Sequence, residues 1–365
     1  MRLIFDAHAD LAWIALACNR DLTETLGQIN QREIGMKREK GWGDATSCLP
    51  EMRRGGIAVC LGTLFARTNR KADSCSKEYL RTDYDYGTQS MAHAIAQGQL
   101  AYYRQLESEG EMKIIRTPDE LDEHWQHCLA SASPVWPIGN IVAMECADPI
   151  VSPNQLEKWF RDGLRSVMLS HYGKSHYAVG TGDNGPLTHN GIELLKEFEQ
   201  VGMILDMTHL SDHSFFEALE QFNGPVMASH SNCRALVPGD RQLTDEQIRL
   251  LISRDAVIGI ACDAWMLVPG WEIGISQPKE LTMASLVNQI DHICQLSGNV
   301  RNVGIGSDVG AAYGTEQLPS DFKSIADLQG LTTLLTQRGY SNSDIDSIFH
   351  GNWLRFFRNS LPTLM

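Results

Sequence analysis

The strongest constraint on the fold is an alternation of short apolar segments with longer amphipathic ones along the 365 residues. Eight of the apolar segments are short, aliphatic or β-branched, and bounded by turn residues, which is the pattern of buried β-strands. They are Leu3 to Asp6, Ile57 to Phe65, Ile141 to Glu145, Ser166 to Ser170, Met203 to Asp206, Val226 to Ser229, Val257 to Cys262 and Val303 to Gly306. The segments with helical periodicity are Tyr84 to Leu106, Asn154 to Asp162, Asn190 to Gln200, Asp212 to Gln221, Thr244 to Arg254 and Met283 to Gln295.

Apolar strands that alternate with amphipathic helices predict a parallel sheet covered by helices, in the α/β class. Eight such units close into a (β/α)8 TIM barrel, and an open doubly wound sheet is the alternative. The barrel is favoured because ligand-type residues end six of the eight strands, and only closure would bring all of them together. With no internal repeat or linker in the sequence, we expect residues 1–365 to form a single barrel domain.

Three segments depart from the alternation. Asn19 to Gly56 is polar and punctuated by glycine, and Arg67 to Asp83 is a charged loop. We expect both to form insertions that cap the barrel mouth, as substrate lids. A third loop, Gly310 to Phe322, follows the last strand.

Helix signals are clearest in the second half of the chain. Thr244 to Gln247 matches a capping box, and Asn190 and Asp212 are predicted N-caps of their helices. The remaining chain to the carboxyl terminus predicts a helix whose apolar face carries Trp353, Phe356 and Phe357.

Composition excludes several classes of partner. A formal net charge of −14 leaves no basic surface for nucleic acid or anionic membranes. No apolar stretch reaches the roughly 18 residues that a bilayer crossing needs, and Arg2 and Asp6 interrupt any signal-like start. The nine cysteines are odd in number and scattered, which argues against a disulfide framework. We therefore expect a cytoplasmic protein without a membrane anchor.

Metal-ligand chemistry appears where the strands end. His8 and Asp10 lie two residues apart, so on an extended strand both side chains point to the same side and suit one cation. Glu145 ends the run Ile-Val-Ala-Met-Glu, where an unpaired buried charge would be costly. Either a cation or a basic side chain would offset that cost. His209 and His230, at equivalent strand ends, could supply a second site that shares a bridging carboxylate.

In this order, the motifs resemble the membrane dipeptidase family (renal dipeptidase, peptidase family M19), zinc peptidases of the amidohydrolase-like barrel group. The matching segments are Asp6-Ala-His-Ala-Asp10, Glu145, Ser170-His171, Asp206-Met-Thr-His209, Ser229-His-Ser-Asn-Cys-Arg234 and Gly306-Ser-Asp308. The resemblance implies two Zn²⁺ per chain, with His8 and Asp10 on one, His209 and His230 on the other, and Glu145 bridging them.

The resemblance also assigns roles around the metals. It implies that His171 contacts the substrate carbonyl region, that Arg241 in Asp-Arg-Gln binds a substrate carboxylate, and that Asp308 contacts a bridging water. Arg234 stands close to Arg241, which matches better because it follows the His230 segment and precedes the helix start Leu-Thr-Asp-Glu-Gln. From the residues alone, Arg241 could instead be an exposed helix-capping arginine and His171 a hydrogen-bonded loop histidine.

Two departures from the resembled family concern the ends of the chain and the first motif. The sequence shows no secretory leader and no hydrophobic tail for a lipid anchor, and Ala7 stands where glycine is common. Relatives that bridge two metals with a carbamylated lysine match less well, because Glu145 already offers the bridging carboxylate and no lysine ends the fourth strand.

The leading hypothesis is a binuclear zinc metallopeptidase that hydrolyses the peptide bond of a small dipeptide through a metal-bridging water or hydroxide. The catalytic residues are then Asp308, His171 and Glu145, and the substrate is held by His171 and Arg241. One alternative is a zinc amidohydrolase that acts on N-acyl amino acids, lactones or related small amides. A further alternative is a barrel that binds metal or a small ligand without turnover. A homodimer is compatible with the sequence.

Overall fold

The computed structural model describes residues 1–36, 43–68, 85–310 and 313–363. Almost every strand residue in these ranges is buried. The strands, in chain order, are β1 (Ile4–Ala9), β2 (Ile57–Phe65), β3 (Arg67–Thr68), β4 (Asp85–Tyr86), β5 (Met112–Ile114), β6 (Ile138–Glu145), β7 (Leu164–Met168), β8 (Ile204–Asp206), β9 (Val226–Met227), β10 (Ile258–Ile260) and β11 (Val303–Ile305).

Eight of these strands form one parallel sheet that closes on itself. Their hydrogen-bonded order is β10-β11-β1-β2-β6-β7-β8-β9. The two end strands meet at a parallel bridge between Ala228 and Ile258, where the amide of Gly259 donates to the carbonyl of Ala228 at 2.8 Å. The predicted (β/α)8 barrel is therefore confirmed, all eight predicted strands are present, and the open-sheet alternative is wrong. The short β5, which pairs with the start of β6, was not predicted.

Helices cover the outside of the barrel. The α-helices are α1 (Leu11–Ala17), α2 (Leu26–Glu33), α3 (Leu49–Arg54), α4 (Gln89–Ser108), α5 (Pro118–Ala130), α6 (Leu156–Arg161), α7 (His189–Val201), α8 (Asp212–Gln221), α9 (Asp245–Ser253), α10 (Ala284–Ser297), α11 (Leu331–Arg338), α12 (Asn342–Asp346) and α13 (Asn352–Ser360). Among the described residues, no helix combines the length and apolar character that crossing a membrane requires.

The predicted helix starts are only partly correct. The capping box at Thr244 is confirmed, whereas the N-caps predicted at Asn190 and Asp212 are wrong. Thr188 caps α7 and Ser211 caps α8, each through a side chain that accepts a backbone N–H three residues on. Several polar residues precede each helix, and spacing alone did not distinguish the one that adopts the extended cap conformation.

The three predicted loops contain more regular structure than expected. The segment from Asn19 to Gly56 includes α2 and α3, and its residues 37–42 lie outside the described ranges. Of the loop from Arg67 to Asp83, residues 67–68 form β3, and the rest lies outside those ranges. The loop from Gly310 to Phe322 includes the 3-10 turn Thr315–Gln317, and residues 311–312 are not described.

The carboxyl-terminal helix α13 packs against the barrel as its apolar face predicts. The Phe357 ring stacks on Phe5 of β1 with 5.1 Å between centroids, and Phe356 is also buried. The indole N–H of Trp353 donates to the carbonyl of Ile305 in β11 at 2.9 Å. Each buried aromatic ring contributes about 1.5 to 3 kcal/mol to stability. The helix thus joins the first and last barrel strands, which are far apart in sequence.

Candidate metal centre

The carboxyl ends of six barrel strands bring the predicted ligands together at one mouth of the barrel. His8 lies in β1, Asp10 directly follows it, and Glu145 is the last residue of β6. The remaining predicted side chains each lie three residues beyond a strand: His171 after β7, His209 after β8, His230 after β9 and Asp308 after β11. A parallel barrel places the ends of all its strands on one face, which explains this convergence.

Glu145 stands between imidazoles that come from different sides of the barrel. Its Oε2 lies 3.6 Å from His8 Nε2. Its Oε1 lies 3.4 Å from His209 Nε2 and 3.6 Å from His230 Nε2. Donors that share a tetrahedral zinc at about 2.0 to 2.1 Å lie roughly 3.4 Å apart, so these separations fit ligands of shared cations.

A second set of donors surrounds His8. Its Nε2 lies 3.6 Å from Asp10 Oδ1 and 3.6 Å from Asp308 Oδ1. Both ring nitrogens of His8 are buried and have no hydrogen-bond partner among the described residues. A buried imidazole without a partner is unfavourable unless a cation takes the lone pair of its unprotonated nitrogen. The donor chemistry at His8 therefore fits a divalent metal.

Three hydroxyl groups contact the candidate ligands and fix their orientation. Thr63 donates to the carboxylate of Asp10. Thr181 Oγ1 lies 3.3 Å from Nδ1 of His209, and Ser229 Oγ lies 2.9 Å from Nδ1 of His230. Such contacts on the distal nitrogen fix the ring and leave Nε2 directed into the centre.

Two buried carboxylates below the centre tie neighbouring strand ends together. Asp6 accepts a hydrogen bond from the amide of Ser307 at 2.7 Å, directly before Asp308. Asp206 accepts from the amide of Ser229 at 3.1 Å, directly before His230. Neither aspartate was predicted as a site residue, although Asp6 begins the segment Asp6-Ala-His-Ala-Asp10 and Asp206 begins Asp206-Met-Thr-His209.

The backbone is strained where it turns side chains into the centre. His209 has a φ of 68° and Asp308 a φ of 57°, both in the left-handed region that non-glycine residues rarely adopt. Cys146, immediately after Glu145, has a φ of 87°. Each such residue costs on the order of 1 to 3 kcal/mol and persists only when its surroundings hold it. The strain lies at three strand ends that carry candidate ligands.

The charges of the centre are strongly coupled. Burial of His8 opposes its protonation, but the Glu145 and Asp10 carboxylates outweigh that effect and raise the pKa of His8 to about 10. Burial raises the pKa of Asp308 to about 7, against the opposing effect of His8. Burial also raises the pKa of Glu145 well above its ordinary value, and Asp10 adds to this. Divalent cations would stabilise these acids in their ionised form.

His171 presents a hydrogen-bond donor to the cavity. The Arg67 guanidinium, which cannot accept a hydrogen bond, lies with Nη1 3.0 Å from Nδ1 of His171. Burial lowers the pKa of His171 well below its ordinary value, and Arg67 lowers it further, so the ring is neutral. With Nδ1 accepting, the proton sits on Nε2, which lies 3.6 Å from Glu145 Oε1. The neutral loop-edge histidine is thus a donor toward the centre, and Arg67 was not predicted.

The structure distinguishes the two candidate arginines. Arg241 is 4% exposed and lines the same cavity as the ligands, so it is not an exposed helix cap. Its Nη2 donates to the carbonyl of His230 at 2.7 Å and its Nη1 to Ser231 Oγ at 3.3 Å. No described carboxylate lies within 4.0 Å of it. Arg234 is instead paired with Asp212 at 2.7 Å.

The cavity over the ligands has a volume of about 160 Å³. Its walls include Tyr172, which follows His171, and Asp263, which follows β10. Neither of them was predicted as a site residue, and the sequence signal for Asp263 was a carboxylate directly after the seventh predicted strand. The other wall residues that were not predicted are Trp13, Phe65, Trp265, Met266 and Tyr313.

Comparisons with known proteins identify a matching family model and several relatives. A family model described as membrane dipeptidase (peptidase family M19) matches residues 2–361. An uncharacterized protein in the pqqA 5′ region of Klebsiella pneumoniae is 30% identical over 213 residues, which are 56% of this chain and 75% of that protein. Dipeptidase tcpJ of Claviceps purpurea is 26% identical over 216 residues, 57% of this chain and 47% of the fungal protein. The match thus spans about half the length of that dipeptidase.

Among solved structures, a metallo peptidase from Rhodobacter sphaeroides has the same fold. It was crystallised liganded with a phosphinate mimic of the dipeptide L-Ala-D-Ala. The two chains superpose with a TM-score of 0.78 at 22% sequence identity, covering 98% of this chain and 99% of the other.

Proposed function

Because the chain belongs to the membrane dipeptidase family, peptidase family M19, we propose that it is a metal-dependent dipeptidase that hydrolyses the single peptide bond of small dipeptides. The resemblance inferred from the motifs is confirmed at the level of the family. The observation that carries the proposal is Glu145, whose two oxygens face His8 on one side and His209 with His230 on the other. A carboxylate in that position is suited to bridge two cations.

The donor set favours zinc as the metal. We propose that His8 and Asp10 hold one ion, that His209 and His230 hold the other, and that Glu145 bridges them, because imidazole nitrogen and carboxylate oxygen are the donors that zinc takes in catalytic sites. Two such ions, when bound, supply Lewis acidity and lower the pKa of water toward about 7. The remaining steps belong to side chains of this chain.

Asp308 is the proposed proton carrier. Its carboxylate reaches the ligand cluster, 3.6 Å from His8 Nε2, and its side chain remains 17% exposed toward the cavity. It can accept a proton from the attacking water and deliver it to the amine nitrogen that leaves. A carboxylate that reaches both the attacking water and the leaving amine nitrogen can serve as base in the first step and as acid in the second.

His171 is the proposed stabiliser of the substrate carbonyl. Negative charge grows on the carbonyl oxygen as the carbon is attacked, and a fixed donor at that position lowers the barrier. The Nε2–H of His171 is such a donor, because Arg67 occupies the opposite ring nitrogen. Arg67 thereby keeps the ring in the required tautomer.

Arg241 is the proposed anchor for the free carboxylate of the substrate. Its planar guanidinium matches a carboxylate in two parallel hydrogen bonds, and its present partners are neutral oxygens of His230 and Ser231. An anchor at a fixed distance from the ligand cluster selects short substrates. The Rhodobacter sphaeroides metallo peptidase was crystallised with a dipeptide mimic, and a cavity of about 160 Å³ suits a ligand of that size.

The test is metal-dependent release of free amino acids by the purified protein. We expect hydrolysis of members of a dipeptide panel, loss of activity with a chelator, recovery on addition of zinc, and two zinc ions per chain by elemental analysis. The panel includes N-acylated and C-amidated forms of one good dipeptide. If no free dipeptide is hydrolysed in a metal-dependent way, the proposal is contradicted. If the N-acylated and C-amidated forms are hydrolysed as fast as the free dipeptide, an amidohydrolase is favoured.

A further inference from the structure

Asp263 is a carboxylate in the candidate active site that the proposed mechanism does not use. It lies three residues beyond β10, lines the cavity with Arg241 and the ligands, and is 7% exposed. Within the described ranges, it belongs to none of the groups of donor atoms that could hold a metal ion. Its position in the wall therefore requires another explanation.

One oxygen of this carboxylate is left without a partner. Asp263 Oδ2 accepts a hydrogen bond from the indole N–H of Trp265 at 2.7 Å. Oδ1 is buried and has no hydrogen-bond partner among the described residues. A buried carboxylate oxygen without a donor is unfavourable. Burial, together with the nearby Asp308, raises the pKa of Asp263 well above its ordinary value, so a cationic group brought by a ligand would favour the ionised form of this carboxylate.

The turn that carries Asp263 is rigidly attached to the segment that carries Arg241. The side-chain amide of Asn232 donates to the carbonyls of Ala261 at 3.1 Å and Met266 at 3.2 Å. Gln242, the residue after Arg241, donates to the same Met266 carbonyl at 2.8 Å. These bonds hold the turn of Asp263 against the segment of Arg241, and both side chains line the same cavity.

The charges of the wall divide into two groups. The carboxylates of Asp10, Glu145 and Asp308 lie in the ligand cluster, where metal ions would neutralise them. Asp263 belongs to none of the donor groups found among the described residues, and Arg241 supplies a positive charge in the wall of the same cavity. Together they form a pair that complements a group bearing one negative and one positive charge.

We propose that Asp263 determines specificity by binding a cationic side chain on the carboxyl-terminal residue of the dipeptide, as in lysine or arginine. This inference rests on the proposed function, in which Arg241 holds the carboxylate of that same residue. The turns of Asp263 and Arg241 are joined through Asn232 and Gln242, and on this ground we assign the group beside Asp263 to the residue whose carboxylate Arg241 binds.

The test compares substrates that differ only in that charge. L-Alanyl dipeptides of lysine and of norleucine have side chains of similar length, and only lysine carries an ammonium group; both enantiomers of the second residue are used. For the zinc-loaded enzyme, we expect kcat/KM to be about 10-fold or more higher for the lysine substrates, the scale of one charge-assisted hydrogen bond. In Asp263→Asn, which retains an acceptor for Trp265, the ratio should fall toward one.

The control and the contrary outcomes are equally specific. Glu272 is exposed, lies like Asp263 in the segment between β10 and α10, and does not line the cavity. We expect Glu272→Gln to leave the ratio of kcat/KM between the lysine and norleucine substrates unchanged. Equal rates for lysine and norleucine in the unmodified enzyme would overturn the proposal, whether or not the variant folds. A uniform loss on all dipeptides in Asp263→Asn would overturn it as well, because Asp263 would then bind a group common to all of them.

A binding measurement separates this proposal from the proposed function. Phosphinate mimics of alanyl-lysine and alanyl-norleucine are titrated into the zinc-loaded protein by calorimetry. A preference of about 10-fold for the lysine mimic that disappears in Asp263→Asn supports the assignment even if no dipeptide is hydrolysed. Equal affinities contradict it even if dipeptides are hydrolysed.

Discussion

The imidazole of His230 has Nε2 in the ligand cluster and Nδ1 2.9 Å from the hydroxyl of Ser229. The amide of Ser229 is in turn held by Asp206. We therefore expect Ser229→Ala to leave the fold intact while it frees the ring to rotate. The zinc affinity should fall by about 10- to 100-fold, the usual effect of losing such a contact. Competition with a chromophoric chelator measures that affinity directly.

Ser253→Ala is a suitable control for this variant. Ser253 ends α9, and its hydroxyl contacts only the carbonyl of Leu250 at the surface. The Ser253→Ala variant should bind zinc with the same affinity as the unmodified chain. If Ser229→Ala binds zinc equally well, the orientation of His230 does not depend on this hydroxyl.

Arg241 and Arg234 offer a second matched pair at this scale. Lysine keeps the charge of arginine but cannot form two parallel hydrogen bonds with a carboxylate. We expect Arg241→Lys to lower kcat/KM for dipeptides by about 10- to 100-fold, mainly by raising KM. Arg234→Lys, at an arginine paired with Asp212 outside the cavity, should leave KM unchanged. Steady-state kinetics on one dipeptide decide between these outcomes, and equal KM values in both variants would contradict the anchor.

At the scale of single elements, α5 is attached to β2 through a buried histidine. His124 Nε2 lies 3.0 Å from the carbonyl of Ala58 and therefore donates to it. Burial keeps the pKa of His124 below its ordinary value of 6.5, against the raising effect of this bond. The unfolded chain binds the proton more readily, so the free energy of unfolding should fall as the pH drops below about 6.5.

His124→Gln retains a donor at the position of Nε2 but does not titrate. We expect the variant to lose less unfolding free energy than the unmodified chain between pH 7 and pH 5, as measured by urea unfolding at each pH. Gln126, an exposed neighbour that does not titrate, should leave the pH dependence unaltered when changed to alanine. Parallel curves for His124→Gln and the unmodified chain would show that His124 does not contribute to the acid sensitivity.

The start of α7 tests which residue caps a helix when several could. Thr188 accepts from the amide of Gly191, whereas Asn190 is an exposed residue in the first turn. Thr188→Ala should lower the free energy of unfolding by about 1 kcal/mol, and Asn190→Ala should change it much less. Chemical denaturation of both variants provides the comparison. The reverse order would restore the assignment made from the sequence.

The elements that the sequence predicted are those whose burial leaves a long, uniform pattern. All of β2 is buried, and its bounds were predicted residue for residue. β5 reads Met-Lys-Ile and alternates buried and exposed residues, so no apolar run marks it in the sequence. The helices α2 and α3 lie in a polar segment with few buried residues, of which Ile29 and Met52 are examples, so their amphipathic pattern was weak.

The candidate site likewise contains residues that could be predicted from the sequence and residues that could not. The ligands could be predicted because each ends an apolar run, as Glu145 does, and the runs converge once a barrel is assumed. Thr63 and Arg67 could not, since each is a single polar residue whose relation to the centre depends on side-chain packing across strands. The sequence records which residues end a strand, but it does not record which neighbours contact them.

At the scale of the whole molecule, the barrel concentrates negative charge where its strands end. The carboxylates of Asp10, Glu145 and Asp308 come from β1, β6 and β11, elements far apart in the chain, and they lie around one imidazole. Without cations, their mutual repulsion acts against closure of the mouth. We propose that metal binding stabilises the entire barrel and that residues 1–365 unfold as one domain.

Removal of metal should therefore lower the melting temperature of the whole protein. Free zinc at about 1,000 times its dissociation constant adds about 4 kcal/mol to the unfolding free energy if only the folded chain binds it. Scanning calorimetry with and without a chelator should show one transition in both states, shifted upward by zinc. In Glu145→Gln, which removes the proposed bridging carboxylate, the zinc-induced shift should be much smaller. Two separate transitions would contradict the single domain, and an equal shift in this variant would contradict the bridge.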